Sequence, residues 1–126
     1  MMGQKKPFAK QVVLVVEDDP LLRMMAVDMV EDAGFDAIEA GGADEALEIL
    51  EARTDVDVLF TDIDMPGSMD GVELAKCACR IDRPISIVLT SGNHVLGSET
   101  LPPRSVFFPK PYDFNQVTAI LKRFAA

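Results

Sequence analysis

Two adjacent carboxylates at Glu17-Asp18, a third at Asp62, a hydroxyl at Ser91 and an ammonium at Lys110 each follow a short apolar run. Those runs are Val12 to Val16, Val56 to Thr61, Ile85 to Thr90 and Val106 to Pro109. Brought to one place, three carboxylates repel unless a cation intervenes. All-oxygen donors suit Mg²⁺, which takes one or two carboxylates, a carbonyl and several waters. A carboxylate can also act as a nucleophile toward phosphorus, and catalysis of such transfer is mostly positioning and charge stabilisation. In that chemistry Asp62 is the candidate nucleophile, Lys110 a point charge on one phosphoryl oxygen, and Ser91 a hydroxyl donor to another. Alone, Lys110 reads as a surface lysine, Ser91 as a turn residue, and each carboxylate as a helix cap. Their joint placement at strand ends favours metal-assisted phosphoryl chemistry.

The elements that must position these residues follow from periodicity. The apolar runs have the look of buried parallel strands. Asp19-Pro20 opens a helix, Asp19 as cap and Pro20 at the first position. Leu22, Met25, Ala26, Met29, Val30 and Ala33 recur at helical spacing and are expected to pack, and Gly34 ends the helix. Asp36 to Ala40 is a short strand. Ala43 to Arg53 is a helix with Ala46, Leu47, Ile49 and Leu50 as its apolar face. Gly71 to Ile81 is a third, packing through Val72, Leu74, Ala75 and Ala78. Alternation asks for another helix between Asn93 and Arg104, but Gly97 and Pro102-Pro103 shorten it or leave a loop. Strand five is Ser105 to Phe108, and Asp113 caps a last helix carrying Phe114, Val117, Leu121 and Phe124. Strands alternating with helices imply a doubly wound α/β domain around a five-stranded parallel sheet. The order 2-1-3-4-5, flavodoxin-like, sets Glu17-Asp18 beside Asp62 at the switch point, where such sheets bind ligands.

The 126 residues suit one domain, with 11–126 as its body and 1–10 a flexible, basic lead-in without a signal-peptide core. A net charge of −9 disfavours nucleic acid and anionic membranes. No apolar stretch reaches the roughly 20 residues that span a bilayer. Cys77 and Cys79 read as two free, mostly buried thiols in a reducing, cytoplasmic setting. One histidine, His94, makes zinc improbable.

The ordered set VVLVVEDDP, TDIDMPGSMDG, IVLTSG and FFPKPYD resembles the response-regulator receiver domain of two-component signalling, over essentially the whole chain. The resemblance implies that Asp62 is the phosphorylated aspartate. It implies a Mg²⁺ site of Glu17, Asp18 and Asp62, Asp18 the more direct ligand, with the backbone carbonyl of Asp64. Ser91 matches the switch hydroxyl, with Thr90 as the alternative, Lys110 the site lysine, and Phe107 the aromatic switch position. It also implies a cis Lys110-Pro111 bond. The residue types alone leave Phe107 equally a packed core aromatic. Three departures stand out. The loop from Asp62 to Asp70-Gly71 is one residue longer than the commonest form, widened at Gly67-Ser68. Phe107 replaces a frequent tyrosine, so its switching rests on packing. The shortened Asn93 to Arg104 segment puts the usual output face in question.

Asp64 and Asn93 lie two residues after Asp62 and Ser91, where they could reach an attacking water and set phosphoryl lifetime. Leu21 and Met24 are surplus to the first helix's core stripe. With Pro111 and Tyr112 they are expected to frame a docking rim for a histidine kinase or a histidine phosphotransfer protein. The favoured reading is a stand-alone phosphoacceptor whose output passes through contacts with a further protein. Two alternatives are kept. One is a small phosphohydrolase, from the Asp62-Ile63-Asp64 pattern with its second carboxylate as general acid. The other is a phosphorylation-independent binding module.

Overall fold

The computed structural model describes residues 10–67, 69–92 and 101–125. In chain order these form β1 (Val12–Val16), α1 (Pro20–Asp32), β2 (Asp36–Ala40), α2 (Ala43–Ala52), β3 (Val58–Asp62), α3 (Gly71–Cys79), β4 (Ser86–Ser91), β5 (Ser105–Pro109) and α4 (Phe114–Ala125). All pairings are parallel and the sheet runs β2-β1-β3-β4-β5, as the sequence predicts.

Side chains alternate across a strand, and here both faces are buried. Leu14, Val16, Leu59, Ile87 and Leu89 pack with Leu50, Leu74 and Ala78 on the face that α2 and α3 cover. Val13, Val15, Phe60 and Val88 pack with Met29, Val30, Val117 and Leu121 on the face that α1 and α4 cover. The apolar runs are therefore continuous because neither face meets water.

Local chemistry fixes the helix starts. Asp19 Oδ1 accepts from the Leu21 and Leu22 N–H groups, with Pro20 in the first helical position. Asp70 and Glu73 form a reciprocal capping box on α3. Asp113 Oδ1 accepts from the Asn115 N–H at the head of α4. Gly71 is needed for another reason. A Cβ there would lie 2.3 Å from the Asp62 carbonyl oxygen, so only glycine lets α3 start against the end of β3. At the other end of α2, Arg83 Nη2 donates to the Leu50 and Arg53 carbonyls, tying the segment before β4 to the helix terminus.

Three sequence expectations need correction. Periodicity puts Leu22 and Met25 of α1 and Phe114 of α4 in the core stripe, yet they are 41%, 45% and 44% exposed. Helical spacing identifies a face, but here Leu22, Met25 and Phe114 line an open groove beside the carboxyl edge of the sheet instead of packing into the core. Cys77 is half-buried and Cys79 exposed, instead of mostly buried. Leu74, Ala75 and Ala78 occupy the inward face of α3 and leave both thiols at its margins. Several ends also shift: α2 and α3 stop earlier than expected, β3 begins at Val58, and β5 runs on to Pro109. Leu101 to Arg104 carry no helix. The remainder of the segment expected to hold a short helix, residues 93–100, lies outside the described residues, as do Ser68 of the widened loop and 1–9 of the lead-in.

Candidate functional site

The carboxyl ends of β1, β3 and β4 and the turn after β5 meet at one edge of the sheet. Register explains why. Val16 pairs with Thr61, Asp62 with Thr90, and Ser91 with Pro109, so the residues just beyond are neighbours. Carboxylate oxygens of Glu17, Asp18 and Asp62 lie within 4.8 Å of one another. Lys110 Nζ bridges two of them, 3.3 Å from Glu17 Oε1 and 3.2 Å from Asp62 Oδ2. Glu17 and Asp62 are buried, whereas Asp18 is exposed. The Lys110-Pro111 bond is cis.

Backbone amides hold the acidic groups in place. The Asp64 N–H donates to Asp62 Oδ1 at 3.1 Å, and the Asp19 N–H to Glu17 Oε2 at 3.1 Å. Arg23, one turn into α1, donates from Nη1 to the Glu17 carbonyl and from Nε to Glu39. Nothing in the sequence pattern marked Arg23, whose role depends on α1 folding back along β2.

The electrostatics are those of crowded anions under partial relief. Burial pushes the Glu17 carboxyl above its ordinary pKa; the Asp19 amide opposes this, and the nearby Asp62 charge adds to it. For Lys110, burial works against the charge, but Asp62 and Glu17 outweigh it and hold the ammonium above its usual range. Burial also raises the Tyr112 phenol. Among the described residues, Glu17, Asp18 and Asp62 are the cluster whose donors fit a small hard cation. Three oxygen donors meet beside a single ammonium, a set that matches Mg²⁺ better than a soft metal.

The two hydroxyl candidates separate. Ser91, 1% exposed, donates from Oγ to Asp64 Oδ2 at 2.6 Å. Thr90 lines a groove together with Glu17, Asp62 and Lys110. Residue types alone direct Ser91 toward a phosphoryl oxygen and give no sign of its bond to Asp64. These residues are 27 positions apart and meet only through the β3–β4 register. Phe107, opposite Leu89 in β5, is half-buried against the core on the α2 and α3 face. Asn93 lies outside the described residues.

The groove has a volume of about 330 Å³. Its apolar wall is Leu22, Met25, Phe60, Pro111, Tyr112 and Phe114. Tyr112 stacks edge-on with Phe60 and tilts against Phe114. Of the expected docking rim, Pro111 and Tyr112 line this groove. Leu21 and Met24 are well exposed on α1, but the inward wall belongs to Leu22 and Met25.

Comparison with known proteins gives a consistent picture. Residues 13–122 match the response regulator receiver domain. The chain is 32% identical over 114 residues to the sensor kinase CckA of Brucella abortus, covering 87% of this chain and 12% of that protein. It is 30% identical over 115 residues to the DNA-binding transcriptional regulator NtrC of Escherichia coli, covering 89% of this chain and 24% of that protein. It thus spans a quarter or less of either relative. The crystal structure of a response regulator receiver protein from Sinorhizobium medicae superposes with a TM-score of 0.85 at 26% identity, covering 91% of this chain and 94% of that one. A sheet of this order, an acidic cluster facing a lysine at its carboxyl edge, and a family match over nearly the whole described body agree: the chain belongs to the response-regulator receiver family.

Proposed function

We propose that Asp62 accepts a phosphoryl group from a phosphohistidine on a partner protein, either a histidine kinase or a histidine phosphotransfer protein. The observation that carries this is the joint approach of Glu17, Asp18 and Asp62 with Lys110 bridging two of them. An Asp62 oxygen attacks phosphorus, and the bond from phosphorus to the imidazole nitrogen breaks. The imidazole leaves with the bonding pair and takes a proton from solvent. Asp62 becomes an acyl phosphate, and water later returns it to carboxylate with release of inorganic phosphate.

Glu17, Asp18, Asp62 and the Asp64 carbonyl would hold Mg²⁺, whose charge would offset that building on the phosphoryl oxygens. Lys110 neutralises a further oxygen. Its ammonium is already placed at Asp62, so little reorganisation is needed. Ser91, with Thr90 as the alternative, senses the phosphoryl group, and Phe107 follows in packing, altering surface contacts with an output protein. Asp64 and Asn93 set the lifetime through the attacking water. Leu21, Met24, Pro111 and Tyr112, now joined by Leu22 and Met25, form the docking face, since exposed apolar side chains beside the site favour a protein donor.

No turnover of external substrate is part of this reading, and the compartment is the cytoplasm, where phosphohistidine donors are made. Among the described residues no helix is long and apolar enough to cross a membrane. The test is incorporation of phosphate from a small phosphodonor such as phosphoramidate, followed by intact-mass measurement. One phosphate per chain is expected, dependent on Mg²⁺ and lost in Asp62→Asn. Steady hydrolysis of a phosphomonoester would favour the phosphohydrolase reading. Full cellular activity of Asp62→Asn would favour a phosphorylation-independent module.

A further inference from the structure

The Ser91 hydroxyl already has a short bond, and its acceptor is the Asp64 carboxylate. Oγ donates to Asp64 Oδ2 at 2.6 Å, at a position only 1% exposed. Asp64 is itself anchored. Its N–H donates to Asp62 Oδ1 at 3.1 Å, and the Ile63 N–H before it donates to the Thr90 carbonyl at 2.8 Å. Ser91 is tied from the other side, its carbonyl accepting from the Lys110 N–H at 2.9 Å. Both ends of the contact thus sit on backbone that the sheet fixes.

We propose that Asp64 is a positioning residue that latches the Ser91 hydroxyl in the unphosphorylated protein, so that a phosphoryl group on Asp62 must compete with the Asp64 carboxylate for one proton. The inference rests on the reading of Asp62 as phosphoacceptor and Ser91 as the responding hydroxyl. A serine hydroxyl has a single hydrogen to donate. A bond to an ionised acceptor is shorter and stronger than a neutral one, and exclusion of water strengthens it further. The latch therefore opposes the switched state, and Asp64 acts through Ser91 as well as by its charge. These two contributions are separable, because only the first needs the hydroxyl.

The experiment is a double-mutant cycle on the binding of beryllofluoride in the presence of Mg²⁺, measured by titration calorimetry. Wild type, Asp64→Ala, Ser91→Ala and the double variant are compared. Asp64→Ala is expected to tighten binding about tenfold, equivalent to about 1.4 kcal/mol. In the Ser91→Ala background the same change should give less than about twofold, a coupling that independent sites do not show. A spectroscopic readout accompanies it: in beryllofluoride-free Asp64→Ala, the Ser91 amide resonance should move toward its position in the beryllofluoride-bound wild type. An equal gain in both backgrounds would mean that Asp64 acts by charge alone and would overturn the latch. So would no gain at all. If Asp64→Ala fails to fold, the same cycle run with Asp64→Asn, which keeps an acceptor but loses the charge, decides with a smaller expected coupling. Wild type that does not bind beryllofluoride, or binding unchanged in Asp62→Asn, would instead overturn the phosphoacceptor reading, and the latch with it.

Discussion

The two faces of the sheet are built to different standards. On the α2 and α3 face, Leu50, Leu74, Ala75 and Ala78 are fully buried, and Gly71 brings the start of α3 into backbone contact with Asp62. On the α1 and α4 face the lower half is equally dry, with Val30, Val117 and Leu121 buried. Toward the acidic site that face opens. Leu22 and Met25 on α1 and Phe114 on α4 remain exposed along the groove, and Leu21 and Met24 are exposed elsewhere on α1. A fold that needed only stability would close such a gap. Leaving it open beside Asp62 fits a face kept for contact with a partner, while the opposite face holds the site rigid from behind.

That contrast is broken most severely on the closed face. Leu74→Ala should cost about 2–5 kcal/mol, the range for truncating a fully buried leucine, because α3 and the sheet can collapse only partly into the void. Urea denaturation would show it as a lower midpoint at unchanged slope. A loss under about 1 kcal/mol would mean that this face is not the stabilising one. Gly71→Ala should come next, at about 1–3 kcal/mol, the usual penalty for overpacking. The added methyl meets the Asp62 carbonyl, so the loss should appear in phosphodonor reactivity as well as in stability. A variant destabilised but fully reactive would show that α3 yields and β3 does not.

The open face should behave in the opposite way. The double change Leu22→Ala, Met25→Ala should cost about 1–2 kcal/mol for the pair, less than truncating the fully buried Leu74 alone, since each side chain gives up only partial burial. It should slow phosphotransfer from a protein phosphohistidine about tenfold, a typical contribution of buried interface anchors. Labelling by phosphoramidate, which needs no docking, should be unchanged. Equal slowing with both donors would mean that the groove shapes the reacting site and not the docking face.

The sequence exposes the closed half of the molecule better than the open half, for a physical reason. Unbroken apolar runs ending in Glu17, Asp62, Ser91 and Lys110 betray strands buried on both faces, and the βα alternation then leaves little choice of topology. Capping residues such as Asp19 and Asp70 locate helix starts because their chemistry is local. Periodicity does not say how far the core extends beneath each helix, so it marks Leu22, Met25 and Phe114 as core although they line the open groove. Nor could it find the bonds from Ser91 to Asp64, Arg23 to the Glu17 carbonyl, or Arg83 to the end of α2. Each joins residues that only the finished register brings together.

The smallest expected effect concerns the boundary between the two faces, where Glu17 sits. Burial raises its carboxyl pKa, with the Asp62 charge adding to the rise. A carboxyl whose folded pKa lies above its unfolded value favours folding in its protonated form. That contribution is fully present below the unfolded value of about 4.3 and is lost as pH rises through the folded one. At pH 7 the ionised Glu17 therefore costs stability when no cation is bound. Glu17→Gln should raise the thermal midpoint at pH 7 by a few degrees without Mg²⁺, with the gain shrinking toward pH 4. The same variant should gain less from added Mg²⁺ than wild type, since stabilisation by a ligand follows its affinity for the folded state. A gain independent of pH would place its origin in packing instead of charge. A lower midpoint at pH 7 would show that the Lys110 ion pair outweighs the cost of burial, making Glu17 part of the rigid backing of the site and not a strain that the cation relieves.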